Sequence, residues 1–235
     1  MAAMRRRIPK LVLVGAVLTA LAPLVLNLAW WHSRPPLGDG ESYGLDVSSH
    51  QGTIDWNAVA RDGIASAYIK ASEGGTWKDT KFAANWKGAR QAGLRVGAYH
   101  FFTLCRDGEE QAENFLSMLE AVDATSHADR DTLAPVVDLE LSGNCSERPA
   151  PEVVAQRLDA LVDRVEQECG RPVMFYVVDS FESRYPLPPR LERPRWERRI
   201  GLRPDGPWAW WQVNSRARVD GVDGDVDLNV VSPRA

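Results

Sequence analysis

From residue 43 onward, short apolar runs alternate with stretches whose apolar positions recur at helical spacing. The runs predict strands, the spaced stretches predict helices, and their alternation predicts a mostly parallel sheet. Strands are expected at 43–47, 67–71, 96–102, 134–141 and 173–178. Between them, helices are expected from an opening at Ile54-Asp55-Trp56 to about Asp62, at 82–92 closed by Gly93, at 108–119, and at 151–168. The last carries Val153, Val154, Leu158, Leu161, Val162 and Val165 on helical spacing. Past Val178 the helical signal fades, and 195–200, 209–213 and 227–231 read as short strands without long helices between them. The pattern describes an α/β barrel of about eight strands whose last third is all β. No internal repeat or low-complexity tract interrupts it.

Residues 1–32 carry a different pattern. Arg5, Arg6, Arg7 and Lys10 precede an uncharged, mostly apolar run from Leu11 to Trp31. That run is longer than a usual signal-peptide core and close to a bilayer span, with Trp30 and Trp31 placed as interfacial aromatics. No Ala-x-Ala cleavage site stands out, so a retained signal anchor is expected in preference to a cleaved signal peptide. The basic flank predicts a cytoplasmic N-terminus and an extracytoplasmic barrel, anchored to the bacterial cytoplasmic membrane, or secreted if the segment is cleaved. Residues 33–42 read as a Pro- and Gly-containing linker reaching at most about 40 Å, and 43–235 as the barrel domain.

Charge narrows the partners. The formal net charge is −4; residues 1–36 hold five of the 28 basic residues and no acid, leaving 23 basic against 32 acidic groups, a charge of −9. Such a surface argues against nucleic acid. Three cysteines in an exported chain allow one disulfide. Cys105 and Cys145 each follow an expected strand and are expected to pair on the loop-bearing face, leaving Cys169 free and buried near a helix end. No metal-ligand spacing is present, and no cofactor is expected.

The chemistry-bearing stretch is Leu133-Ala134-Pro135-Val136-Val137-Asp138-Leu139-Glu140-Leu141. Alternation on a strand puts Asp138 and Glu140 on one face, roughly 7 Å apart from the rise per residue. Two neighbouring acids push one pKa up, which suits a division of labour between a proton donor and an ionised partner, as in glycosidic bond cleavage.

Six segments in order strengthen that reading: Tyr43-Gly44-Leu45-Asp46-Val47-Ser48-Ser49-His50-Gln51-Gly52, Tyr68-Ile69-Lys70-Ala71-Ser72-Glu73-Gly74, Gly97-Ala98-Tyr99-His100-Phe101, Val137-Asp138-Leu139-Glu140, Trp210-Trp211-Gln212 and Val226-Asp227-Leu228-Asn229. They resemble the successive motifs of glycoside hydrolase family 25, the lysozymes also called the Chalaropsis type. The resemblance implies a modified TIM-like (β/α)5(β)3 barrel that hydrolyses the β-1,4 bond between N-acetylmuramic acid and N-acetylglucosamine in peptidoglycan glycan strands. It implies that Glu140 is the general acid and Asp138 its partner, with Asp46 and Asp227 completing an acidic cluster. Asp227 is preferred to the nearby Asp225 because the Asp-x-Asn pattern falls there. Asp138 is expected to orient the substrate 2-acetamido group; direct activation of water stays open. Tyr99, Tyr176, Trp211 and Gln212 are expected to contact the sugar, although aromatics on strands are also ordinary core. Lys70 and Glu73 either line the cleft or pair with each other. His100 reads as a structural histidine. Two alternatives stand beside this reading: a catalytically silent wall-binding or scaffolding barrel, and a chitinase or endo-N-acetylglucosaminidase.

Overall fold

A computed structural model of the protein describes residues 33–125 and 131–233. The expected membrane-targeting segment, residues 1–32, lies outside them; among the described residues no helix is long and apolar enough to cross a membrane. Among the described residues nine strands form one sheet: β1 Ser42–Val47, β2 Ile64–Glu73, β3 Trp77–Lys78, β4 Arg95–Phe101, β5 Val136–Leu139, β6 Met174–Val177, β7 Arg195–Arg198, β8 Trp210–Ala217 and β9 Val226–Val231. β1 pairs in parallel with β2 and antiparallel with β9, which closes the sheet into an eight-stranded barrel, while the two-residue β3 folds back on the end of β2. From β1 through β8 the barrel neighbours are parallel; β9 alone runs the other way.

Helices α1 Trp56–Arg61, α2 Phe82–Gln91, α3 Gly108–Glu120, α4 Pro151–Cys169 and α5 Asp179–Arg184 occupy the connections through β6. Local signals set their ends. Asp55 caps α1 by accepting from the Ala58 amide at 3.1 Å, and Asp107 accepts from Glu109 and Glu110 at the start of α3. α4 starts on Pro151 and stops at Gly170, whose φ of 62° is a conformation that a side chain disfavours.

Two-residue alternation divides each strand between two environments. Outward residues such as Leu45, Ile69, Val96, Val137, Leu139 and Phe175 are buried against Trp56, Phe82, Phe115, Leu158, Leu161 and Val165 of the helices. Inward, Tyr68, Leu133, Val136, Met174, Trp196, Trp210 and Val231 fill the barrel floor. Two glycines make room for this aromatic filling. A Cβ on Gly44 would come within 2.6 Å of the Trp210 ring, and one on Gly97 would overlap the Tyr68 ring. The floor is therefore filled by side chains.

The strand and helix expectations meet the structure with end shifts, the largest at β8, which runs to Ala217 past the expected 209–213, and the next at β2, which overruns the expected 67–71 at both ends. β3 and the six-residue α5 have no counterpart in the sequence reading, because elements that short carry too few positions to show a period. Part of the expected linker is not free chain. Pro35–Ala235 forms one unit: Tyr43 donates to the Pro35 carbonyl at 2.6 Å, the Gly38 amide bonds Glu41, and Arg203 pairs with Glu41.

Candidate active site

In a barrel of parallel strands, the C-terminal ends share one rim. Asp46 stands next to last on β1, Asp138 next to last on β5, and Glu140 immediately after β5. β9 is reversed, so its beginning meets that rim, and Asp227, its second residue, is the register partner of Asp46. Registered residues on antiparallel strands project from the same face. Four carboxyl groups from three strands thus converge on one cavity of about 120 Å³, lined also by Tyr99, Val136, Tyr176, Trp196 and Gln212.

A chain of hydrogen bonds orders one wall. Trp196 Nε1 donates to Asn229 Oδ1 at 2.8 Å, and Asn229 Nδ2 donates to Asp46 Oδ1 at 2.7 Å. Asp46 and Asp227 share a hydrogen bond, Gln212 bonds Asp227, and Tyr176 Oη donates to Gln212 Oε1 at 2.8 Å. On the other wall Asp138 and Glu140 hydrogen-bond each other. This corrects the separation read from strand rise. The rise spaces the backbones, whereas the extra methylene of Glu140, one residue past the strand end, lets its carboxyl swing back to Asp138.

Burial dominates the electrostatics. It pushes Asp138 well above the usual carboxylate range, and the adjacent Glu140 charge adds to the effect; Lys70 opposes it. Asp138 Oδ1 is buried without a hydrogen-bond partner among the described residues, so nothing on that atom offsets the cost of charge. Asp46 is raised well above its ordinary value by burial and then by Asp227. Burial raises Asp227 to about 6 against the hydrogen bond from Gln212, and raises Glu140 against the charges of Arg198 and Lys70. The result is two adjacent pairs of raised acids, Asp138 with Glu140 and Asp46 with Asp227. In each the deeper member is the harder to ionise.

The loop after Glu140 is clamped. Asn144 Nδ2 donates to the Glu140 carbonyl at 2.9 Å and the Phe102 carbonyl at 2.8 Å, and its Oδ1 accepts from the Leu104 amide. The next residue, Cys145, is disulfide-bonded to Cys105 with Cα atoms 6.4 Å apart, as expected from the sequence, and Cys169 is free and buried. The backbone carrying Glu140 is thereby tied to the loop after β4.

The other expected site residues divide. Tyr99, Tyr176 and Gln212 line the cavity beside the acids. Trp211 does not. Because Gln212 and Trp210 point inward, Trp211 faces outward into the apolar layer, where its Nε1 donates to the Arg199 carbonyl at 2.6 Å. Lys70 and Glu73 pair with each other at 2.7 Å, and the Lys70 ammonium lies 4.9 Å from the Trp77 ring and 5.0 Å from the Phe101 ring. His100 is fully buried, bonds Ser72 at 2.8 Å and is pushed down to about 3 by burial, as befits a neutral structural imidazole. Asp225 pairs with Arg216 and Arg218, away from the cavity lining. Sequence reasoning passed over Arg198 and Trp196, and used Asn229 only as a marker for Asp227 without giving it a place in the site. Arg198 and Trp196 share an inward register on β7, and alternation on that strand was the available signal. Among the described residues no group of three or more His, Cys, Asp or Glu side chains is arranged to hold a metal ion.

The cavity opens into a wider space of about 390 Å³ that shares Glu140, Tyr176, Gln212 and Asp227 and adds Ser142, Val178, Ser180, Arg198 and Ser215. A separate cleft of about 540 Å³ around Leu187, Pro194 and Trp208 shares no residue with the carboxyl-lined cavity.

Comparison with known proteins gives a consistent picture. The sequence profile of glycosyl hydrolases family 25 matches residues 45–222. Lysozyme M1 of Streptomyces globisporus is 30% identical over 276 aligned residues, covering 97% of this chain and 92% of that protein. The crystal structure of the bacterial lysozyme from Streptomyces coelicolor superposes with a TM-score of 0.68 at 31% identity, over 80% of this chain and 90% of that one. That of a family 25 glycosyl hydrolase from Bacillus anthracis gives 0.72 at 30% identity, over 85% and 93%.

Proposed function

The chain belongs to glycosyl hydrolases family 25 and is a glycoside hydrolase of the lysozyme type, and on that premise we propose that it cleaves the β-1,4 bond between N-acetylmuramic acid and N-acetylglucosamine in peptidoglycan. The observation that carries the reading is the convergence of Asp46, Asp138, Glu140 and Asp227 on one cavity at the barrel rim. A binding barrel has no use for four buried acids, each costly to ionise.

Glu140 is the general acid. Its pair with Asp138 retains a proton by burial and mutual charge, and of the two the deeper Asp138 holds it more strongly before substrate binds. A bound muramyl sugar changes that balance. Its 2-acetamido N–H donates to Asp138 and favours the carboxylate there, so the proton passes along the shared hydrogen bond to Glu140. Glu140 then protonates the leaving glycosidic oxygen while the acetamido carbonyl oxygen attacks the anomeric carbon. Asp138 stabilises the positive charge that develops on the acetamido group, and Glu140, now ionised, takes a proton from the water that opens the cyclic intermediate. The β-configuration is retained. Contact between the two carboxyls supports this route, because an inverting pair needs about 6.5–9.5 Å to admit water between them. Asp46 and Asp227, with Tyr176 and Gln212, orient the sugar on the facing wall.

Residues 1–32 carry the export signal in this reading, and the barrel works outside the cytoplasm, anchored at the membrane by the apolar run from Leu11 to Trp31. The test is Glu140→Gln, which keeps shape but cannot donate the proton. Turnover on purified wall is expected to fall by about 10² to 10⁴ with the fold intact by circular dichroism. Near-normal turnover would overturn the assignment.

A further inference from the structure

The wider space beside the catalytic cavity has a distinct chemistry. Ser142, Ser180 and Ser215 supply hydroxyls around it, and Arg198 supplies a positive charge. Building on the muramidase reading above, we propose that this extension is a subsite for the substituent on the muramyl sugar, in which Arg198 pairs with a carboxylate of that substituent.

Arg198 ends β7 and points toward the rim because Trp196, two residues earlier, points into the barrel. Its strand partner is Gln212, which bonds Asp227. The other arginines nearby are committed: Arg195 to Glu182 at 2.6 Å, Arg199 to Asp205 at 3.0 Å, Arg203 to Glu41, and Arg216 and Arg218 to Asp225. Arg198 is exposed, lines the cavity, and its guanidinium acts on Glu140 and Asp227 through charge, with no side-chain ion pair or hydrogen bond among the described residues. A guanidinium left in this state offers its full fork of donors to a carboxylate. Glu140 and Asp227 border the same space and repel anions, so a carboxylate is accepted only in contact with the guanidinium. That makes Arg198 a discriminator rather than a general attractor. The volume of about 390 Å³ is in the range of small-molecule sites, and the serines match the ether and amide groups that flank such a carboxylate.

In peptidoglycan that carboxylate is either the free 3-O-lactyl group of a peptide-free sugar or an acidic residue of the attached stem. Three probes separate these sources: the peptide-free N-acetylglucosaminyl-N-acetylmuramyl tetrasaccharide, its lactyl methylamide, and the same tetrasaccharide carrying peptide stems. Calorimetric binding to the full chain in a Glu140→Gln background, which stops turnover, is compared with and without Arg198→Gln and Arg198→Lys. Arg198→Gln is expected to weaken a carboxylate-bearing probe by about 10-fold or more while leaving the methylamide unchanged, with Arg198→Lys in between. Weakening of the peptide-free acid identifies the lactyl group; weakening confined to the stem-bearing probe identifies the stem. Equal weakening of acid and methylamide, or no weakening of either charged probe, would overturn the proposal. Failure of the muramidase reading shows separately, as binding without release of reducing muramic acid by the unsubstituted protein.

Discussion

Asp227 titrates at about 6 in the folded chain against an ordinary 3.8, chiefly because it is buried. At 1.36 kcal/mol per unit this corresponds to about 3 kcal/mol between its two protonation states. Between those values the folded chain binds more protons than the unfolded one, so stability falls as pH rises. The contribution is fully present below about pH 4 and lost through pH 6. Integrated from pH 5 to pH 7.5, Asp227 alone removes about 1.4 kcal/mol, or about 3–6 °C in Tm for a domain of this size. Asp46 and Asp138, also raised by burial, add in the same direction. Asp227→Asn removes one titration. Its stability relative to the unsubstituted protein is expected to improve by about 2 kcal/mol between pH 4 and pH 7.5. Urea titrations of both proteins across that range are the assay. Parallel curves would refute the claim that burying this acid costs stability at neutral pH.

Three further outcomes follow from the geometry. Trp211→Ala should cost about 3–5 kcal/mol of stability, since it empties a core position, yet leave KM for wall fragments near normal; a selective rise in KM would return Trp211 to the sugar site. Replacing both Cys105 and Cys145 by Ser releases a loop of 40 residues, for which the chain-entropy model gives about 4 kcal/mol, and non-reducing peptide maps should show that pair linked and Cys169 free. Asp138→Asn should lower kcat strongly with little change in saccharide binding, because its interaction strengthens as charge develops, and NMR of the first product formed by the unsubstituted protein should show the β-anomer; an initial α-anomer would mean water attacks directly.

Alternation and spacing reach far in this chain, and where they stop is physically clear. Period two places Asp138 and Glu140 on a common face, but it says nothing of how side chains bend, so the contact between the two carboxyls could not be read from strand rise. The reversal of β9, which brings Asp227 opposite Asp46, is a property of topology rather than of any local run. Trp211 shows the reverse error: with Gln212 inward, the same period already required Trp211 to face the helices. Arg198 was passed over because a charged residue at a strand end ordinarily reads as solvated surface. Only closure of the barrel turns that end toward the acids.

The central claim is that the four-carboxyl cavity cuts the muramyl bond, and the reducing end of the product tests it most directly. Purified peptidoglycan is digested with the protein, the fragments are reduced with borohydride, and mass spectrometry identifies the new terminus. Fragments ending in reduced N-acetylmuramic acid are the predicted result, absent from the Glu140→Gln digest. Fragments ending in reduced N-acetylglucosamine, or a folded protein that releases no fragments, would contradict it.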